Sequence, residues 1–348
     1  MKKILLIILL VILFIPTIAS ASTTTEKNKP NKQVSAEITE VAEKYYKAEN
    51  DEGKKFIIDR NTQYKLAGQV HKGDSVILKE VTQNGTTNYI ISSFDRTNSI
   101  LLLFALFLVV LLLVNGKRGL KSMINLAVTY CVILLAIIPL ILQGYSPVLV
   151  AVIGGILAMG WNIYFTHGFT NKSHATIIGI AGSLAIVGIL GWIFIQTTSL
   201  SGSIEQGSNI LSAVGYDHIN FRGLLLAAVL IGALGVLDDL VISQVSLVEE
   251  LKNKKPDLSK SELFKSAMKV GHDHTSAIVN TLVLAYTSAS FPLVILFSVG
   301  VRPFNSLTNT LNNETVATEL VRMLVGGIGI LLSMPMATLV AIYFLVEE

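Results

Sequence analysis

Ionisable and amide side chains stand inside or at the edge of two neighbouring apolar runs, where burying charge in lipid is costly without a use or a partner. One run reads Gly232-Ala-Leu-Gly235-Val-Leu-Asp238-Asp239-Leu-Val-Ile-Ser243. At 3.6 residues per turn Gly232, Gly235, Asp239, Ser243 and Ser246 fall on one stripe, and Asp238 points about 100° away. Small residues let a neighbouring helix come close, so Gly232 and Gly235 are assigned to helix packing and Asp239 to a protein-facing or wet surface. The next run opens Gly271-His272-Asp273-His274 and continues through Asn280. Asp273 and Asn280 share a face of that helix. Carboxylates beside His and Asn at membrane depth form a proton relay or cation site, because such groups change charge reversibly when desolvated. The candidate path is therefore Asp239, Asp238, Asp273, Asn280, Ser243, His272 and His274, with no catalytic residue and no metal ligand set assigned. The bland readings are that Asp273 caps its helix at the water boundary, that His272 and His274 are interfacial, and that Asp238 snorkels.

The elements that must position these groups are membrane spans. Just over half the residues are apolar and only 15% are charged, with a mean hydropathy of +0.61. A soluble chain of this length needs more charge to cover its surface. Apolar runs fall at 99–114, 123–142, 148–164, 175–195, 223–245, 276–299 and 321–345. At 1.5 Å per residue each can cross about 30 Å of hydrocarbon. The expected fold is thus membrane all-α with about seven transmembrane helices. Pro292 and Pro335 are expected to kink their helices. The glycines at 154, 155, 179, 182, 326, 327 and 329 read as close packing.

Lys117, Arg118, Lys121, Lys172, Lys252, Lys254, Lys255, Lys260, Lys265 and Lys269 fall on one side of this arrangement, and Arg222, Arg302 and Arg322 on the other. The positive-inside rule then puts the amino-terminal domain outside the cytoplasm and the carboxyl terminus inside, in a multi-pass protein of the bacterial cell membrane. Residues 1–21 have the three parts of a secretory signal: Met1-Lys2-Lys3, a short apolar run, and Ala19-Ser20-Ala21. A Ser/Thr/Asn/Lys spacer covers 22–33. Segment 34–96 alone has soluble-domain composition, and 97–348 forms the polytopic domain. Strands are expected at 75–82 and 87–94 around Asn84-Gly85, with a further turn at Gly73-Asp74. So short a β-rich chain must close its edges, which implies a small extracytoplasmic β-rich, barrel-like domain. His71 reads as a surface residue there.

Two connections stand out. Segment 197–222 is Ser/Gly-rich and suits a re-entrant or lid segment. Segment 251–271 carries the capping box Ser259-Lys-Ser-Glu262, which opens a short helix with Leu263, Phe264, Ala267 and Met268 on one face. That face suits an amphipathic helix lying at the cytoplasmic interface.

The formal charge of +3 and the absence of basic clusters interleaved with aromatics give no reason to propose nucleic acid. Cys131 is the single cysteine, so no internal disulfide forms, and no Cys/His spacing suggests zinc. No cofactor is expected. No Gly-x-x-x-x-Gly-Lys loop is present, so energy must come from a gradient or a partner protein.

Several of these residues resemble the YibE/F family of bacterial multispanning membrane proteins: Gly168-Phe-Thr-Asn-Lys172, Gly232-Ala-Leu-Gly235 with Asp239 and Ser243, and Gly271-x-Asp273. Asn280-Thr-Leu-Val-Leu-Ala-Tyr286, Ser290-Phe-Pro292 and Gly326-Gly-Ile-Gly329 before Pro335 extend the likeness over most of the chain. His272 stands where the resemblance implies an arginine. A more distant likeness, in Gly235-Val-Leu-Asp238-Asp239-Leu-Val-Ile, is to the resistance-nodulation-division exporters, in which adjacent intramembrane aspartates take part in proton coupling. The large external porter domains of that superfamily are absent, and motif likeness does not carry function.

Three functions follow. The first is a gradient-driven transporter or permease of a solute or ion, proton-coupled through Asp239 with Asp273 and Asn280 lining the path. The second is a non-transport assembly factor or envelope sensor whose external domain binds an envelope protein partner, the bilayer serving as anchor. A homo-oligomer fits either. The third, an intramembrane aspartyl protease built on Asp239 and Asp273, ranks last, because the Gly-x-Gly-Asp and Pro-Ala-Leu elements of such enzymes are missing. The chain is therefore read as a non-enzyme.

Overall fold

The structure is a computed structural model and describes residues 33–60, 70–83, 86–203 and 206–346. The signal-like segment, most of the spacer and the Asn84-Gly85 turn lie outside the described residues. The chain forms two compact units, residues 1–123 and 124–348.

In the first unit, alternation of buried and exposed residues makes five antiparallel strands: β1 (Gln33–Val41), β2 (Tyr45–Glu49), β3 (Lys55–Asp59), β4 (Ser75–Gln83) and β5 (Thr86–Phe94). The sheet order is β3-β2-β1-β4-β5. Its two edges come together where Phe56 of β3 meets Tyr89 of β5 edge to face at 4.8 Å, so the sheet curls toward closure, as a short sheet must to hide its edges. Ile38, Tyr46, Ile58, Val76 and Leu78 fill its interior. β4 and β5 match the expected hairpin strands. His71 is exposed, and its backbone N–H donates to Asp74 Oδ2 at the Gly73 turn.

Ten α-helices follow among the described residues. The long ones are α1 (Thr97–Val132), α3 (Pro147–His167), α4 (Asn171–Thr197), α6 (Phe221–Lys254), α7 (Lys260–Ala289) and α10 (Glu314–Leu345). The short ones are α2 (Ile138–Leu142), α5 (Gln206–Ala213), α8 (Phe291–Val299) and α9 (Leu307–Leu311). Five helical segments are long and apolar enough to cross a membrane, or six if the bent pair α7–α8 counts as one. The expected runs at 99–114 and 123–142 lie within one helical segment of 46 residues, Thr97–Leu142. Inside it Gly116 leaves helical geometry at φ 54°, ψ −127°, a conformation an L side chain resists. A wide turn at Ile133–Ile137 precedes Pro139, whose missing N–H breaks the regular hydrogen-bond ladder.

In the second unit α4, α6 and α10 form the centre, with α3 and α7 packed around them. The outward surface is Leu, Ile, Val and Phe, and the core mixes apolar with small residues, as expected where lipid and not water is the solvent. A Cβ on Gly329 would stand 2.3 Å from Val187 Cγ2, and one on Gly179 would stand 2.9 Å from Val241 Cγ1. Ser183, Ser333 and Thr338 satisfy their buried hydroxyls on carbonyls one turn back, which spares an unpaired donor in an apolar interior.

Two expectations change. The run 276–299 is not one helix: α7 stops at Ala289, and α8 leaves at 69°. Pro292 stands in the first turn of α8, where its missing N–H is tolerated and the preceding helix cannot continue through it. Pro335, by contrast, sits inside α10 without ending it. The capping box at Ser259 and Glu262 forms, yet the helix it opens is no separate interfacial element. It continues for 30 residues, and Leu263 and Ala267 are fully buried in the bundle core. Bundle packing outbids the membrane surface for that apolar face. Finally, segment 197–222 contains the short helix α5, and Ser201 ties it to the start of α10 by donating to Glu314.

Candidate functional site

The polar centre of the bundle is built on Asp238. Along α6 the residues Ala233, Leu237, Leu240, Val241, Gln244, Val245 and Val248 are buried. This apolar stripe sets the rotation of the helix and carries half-buried Asp238 along its border. Asp239, one residue on, is exposed.

Asp238 Oδ2 accepts from Asn162 Nδ2 of α3 at 2.9 Å. Asn162 Oδ1 in turn accepts from Asn125 Nδ2 of α1, and the same nitrogen donates to Thr166 Oγ1 at 2.9 Å. Asn162 and Thr166 are four residues apart, so one face of α3 presents both to Asn125. Asn125 is only 8% exposed, and its Oδ1 is buried without a hydrogen-bond partner among the described residues. A carboxylate, two amides and a hydroxyl from three helices thus form one hydrogen-bonded chain.

The remaining expected residues lie outside that chain. Asp239 and Ser243 of α6, and His272, Asp273, His274 and Asn280 of α7, are all exposed. Gly232 and Gly235 are exposed as well. A Cβ on Gly232 would meet only Tyr286 Oη, at 3.6 Å, and one on Gly235 would meet nothing within 4 Å. The close approaches are made instead at Gly154, Gly155, Gly179, Gly191, Gly271 and Gly329.

A second knot fixes α7 to the core. Gln244 is 3% exposed, and its Nε2 donates to Ala267 O at 3.2 Å and to Thr338 Oγ1 at 2.8 Å. Gly271 lets the chains approach here, since a Cβ would stand 2.5 Å from Met334 Sδ. Lys172 Nζ pairs with Glu249 at 2.9 Å, joining the start of α4 to the end of α6. At the α7–α8 bend a cavity of about 170 Å³ is lined by Tyr286, Ser290, Phe297, Thr310, Glu319 and Met323. Glu319 accepts from Arg322 at 3.0 Å. A wholly apolar cleft of about 400 Å³ lies among Val152, Ala185, Gly188, Trp192, Leu226 and Leu230.

Among the described residues no three His, Cys, Asp or Glu side chains cluster as ligands for a metal ion. Asn125, Asn162, Thr166 and Gln244 were not singled out by sequence reasoning. The signal was there: Asn125 and Asn162 each stand within a long apolar run, where a lone amide needs a partner from another helix.

A family model described as YibE/F-like protein matches residues 103–347. No curated protein and no solved structure matches the chain.

Proposed function

The chain belongs to the YibE/F-like family, and from that premise we propose that it is a gradient-driven transporter or permease whose charged centre is Asp238. The observation that carries this reading is the hydrogen-bonded chain Asp238–Asn162–Asn125–Thr166 across α6, α3 and α1. A carboxylate at membrane depth is costly and is kept where it binds or moves charge. The Asn162 amide holds it, braced in turn by that of Asn125, without cancelling its charge. The groups around it belong to different helices, so a change in its charge state acts directly on helix packing, which is what coupling a gradient to movement requires.

The topology we assign has seven spans. The break at Gly116 divides a segment about 69 Å long, more than twice the hydrocarbon thickness, into two crossings. The bent pair α7–α8 supplies one more. Lysine placement then sets the barrel outside the cytoplasm and the carboxyl terminus inside, in the bacterial cell membrane, with residues 1–21 as the export signal. The exposed groups Asp239, His274, Asp273 and Asn280 border the route to the centre.

The test is ion flux in proteoliposomes under an imposed pH or sodium gradient. Flux above that of protein-free vesicles supports the reading, and its absence under both gradients from correctly inserted protein removes it.

One observation favours a second reading, an assembly factor or envelope sensor. The barrel has its own core, separate from that of the bundle, and so could bind an envelope partner while the spans anchor it. That reading predicts that the barrel on any single span rescues a deletion strain. Proteolysis through Asp239 and Asp273 finds less support, since both carboxylates sit on exposed faces.

A further inference from the structure

The outward surfaces of the bundle are of two kinds. Those of α3 and α10 present Leu149, Ile153 and Leu157, and Leu324, Ile328 and Leu331, as contact with lipid requires. Between His272 and Ala289, by contrast, the exposed residues of α7 are polar or small, Val283 and Leu284 apart. Beside it, between Leu225 and Ser246, α6 exposes only Ala228, Gly232, Gly235, Asp239 and Ser243.

The depth of this face follows from its contacts. A Cβ on Gly271 would meet Gln244, and one on Gly232 would meet Tyr286. Asn280, between Gly271 and Tyr286, therefore stands opposite the middle of α6, at membrane depth. The hydroxyls of Ser276, Thr281 and Thr287 are satisfied on carbonyls one turn back. The Asn280 amide makes no hydrogen bond among the described residues. An amide at that depth is costly in lipid and is kept where another helix answers it.

Neither apolar stretch that precedes the bundle, 4–15 or 100–114, has a polar side chain to do so. A second copy has one. Two copies inserted in one orientation are related by an axis along the membrane normal, so residues of equal depth meet. Asn280 then meets Asn280 of the other copy, each amide donating to the other and accepting from it. Asp273 is flanked by His272 and His274, so each carboxylate finds an imidazole N–H across the axis at its own depth. The face is complementary to itself in charge as well as in hydrogen bonding.

We infer that the exposed face of α7, centred on Ala277 and Asn280, is the interface of a parallel two-fold homodimer. The second copy rests on α7. α6 has no side chain larger than a methyl at Ala228, Gly232 and Gly235 and stays recessed, so the two copies enclose a polar furrow edged by Asp239 and Ser243. The inference rests on α7 lying in the membrane and not on transport.

The experiment is single-molecule photobleaching of the full-length protein, fluorescently tagged at its carboxyl terminus, in lipid vesicles over a range of dilution. It is joined to cross-linking of single-cysteine variants, in a Cys131→Ala background, with a short bifunctional maleimide. The expected result is two-step bleaching, and a product of twice the chain mass from Ala277→Cys but not from Leu157→Cys on the lipid-facing side of α3. Asn280→Leu weakens the dimer by about threefold or more, the worth of an average interhelical hydrogen bond, whereas Leu157→Ala leaves it unchanged. Size-exclusion elution and thermal midpoint establish that each variant is folded. Single-step bleaching at every dilution overturns the inference, as does cross-linking at Leu157→Cys in place of Ala277→Cys, or a dimer unchanged in folded Asn280→Leu. A dimer with these properties that carries no flux removes the transporter and leaves the interface. Flux from particles that bleach only in single steps does the reverse.

Discussion

Replacing Asn162 by Leu tests the polar centre through stability alone. Leucine keeps the branching and the number of side-chain heavy atoms, though its methyls are bulkier, and has a good helix propensity, so the backbone of α3 is not penalised. Two interhelical hydrogen bonds disappear, the one donated to Asp238 Oδ2 at 2.9 Å and the one accepted from Asn125. In soluble proteins a neutral bond contributes about 1 kcal/mol and one to a charged group about 1.5–3 kcal/mol. Between membrane helices the average is lower, about 0.6 kcal/mol with a maximum near 1.7 kcal/mol. Asp238 is half-buried and regains some hydration, which argues for the lower half of the combined range. We therefore expect a loss of about 2 kcal/mol, read as the shift in unfolding midpoint when SDS is titrated into mixed micelles of the full-length protein. The double-mutant cycle with Asp238→Asn should give a coupling of at least about 0.5 kcal/mol, because the two side chains touch. A change within about 0.5 kcal/mol of wild type, typical of an uninvolved surface position, or a coupling of zero, would refute the hydrogen-bonded chain.

Two further outcomes follow from particular contacts. Gly329→Ala drives a methyl into Val187 at 2.3 Å and should cost about 1–3 kcal/mol, whereas Gly235→Ala meets nothing within 4 Å and should be neutral or gain up to about 1 kcal/mol of helix propensity. Thermal midpoints of the two variants decide it, and a larger loss at Gly235 would mean that its face of α6 has a partner. In the barrel, the Ser35 hydroxyl and then the Thr97 N–H hold the Asp95 carboxyl below its ordinary range. A depressed folded value contributes stability above the unfolded value near 3.9 and loses it as pH falls through the lower folded value. Ser35→Ala should therefore speed hydrogen exchange of the strand around Ser75, whose carbonyl accepts from Asp95 N–H, by about threefold or less at pH 7, the scale of an exposed interaction. At a pH below the folded value the two proteins should exchange alike. A difference that persists there would assign the effect to packing.

The apolar runs and the β4–β5 hairpin were legible because they depend on local composition and alternation. The position of every long helix except α7 was readable to within a few residues at one end or the other from the apolar runs, and for α7 (Lys260–Ala289) only the capping box marked the start. The rotation of α6 was not. Glycines and serines at i, i+3 and i+7 suggested that Asp239 faces protein, but the competing apolar stripe through Leu237, Leu240 and Val241 is wider and turned Asp238 toward α3 instead. One residue is 100° of arc, so the choice between neighbouring aspartates depends on which neighbour packs on which side. The amides of Asn125 and Asn162 carried that information, and only together. The fate of the Leu263 face was likewise a tertiary matter: an amphipathic pattern says that a face is buried and does not say whether lipid or protein buries it.

The most direct test of Asp238 as the charged centre is ion flux in proteoliposomes reconstituted with wild type, Asp238→Asn and Asp239→Asn at matched protein content. Asp238→Asn is expected to abolish flux while Asp239→Asn, altering an exposed carboxylate outside the hydrogen-bonded chain, keeps the greater part of it. Flux unaffected by Asp238→Asn and lost in Asp239→Asn would contradict the account and return the charged centre to the small-residue stripe of α6.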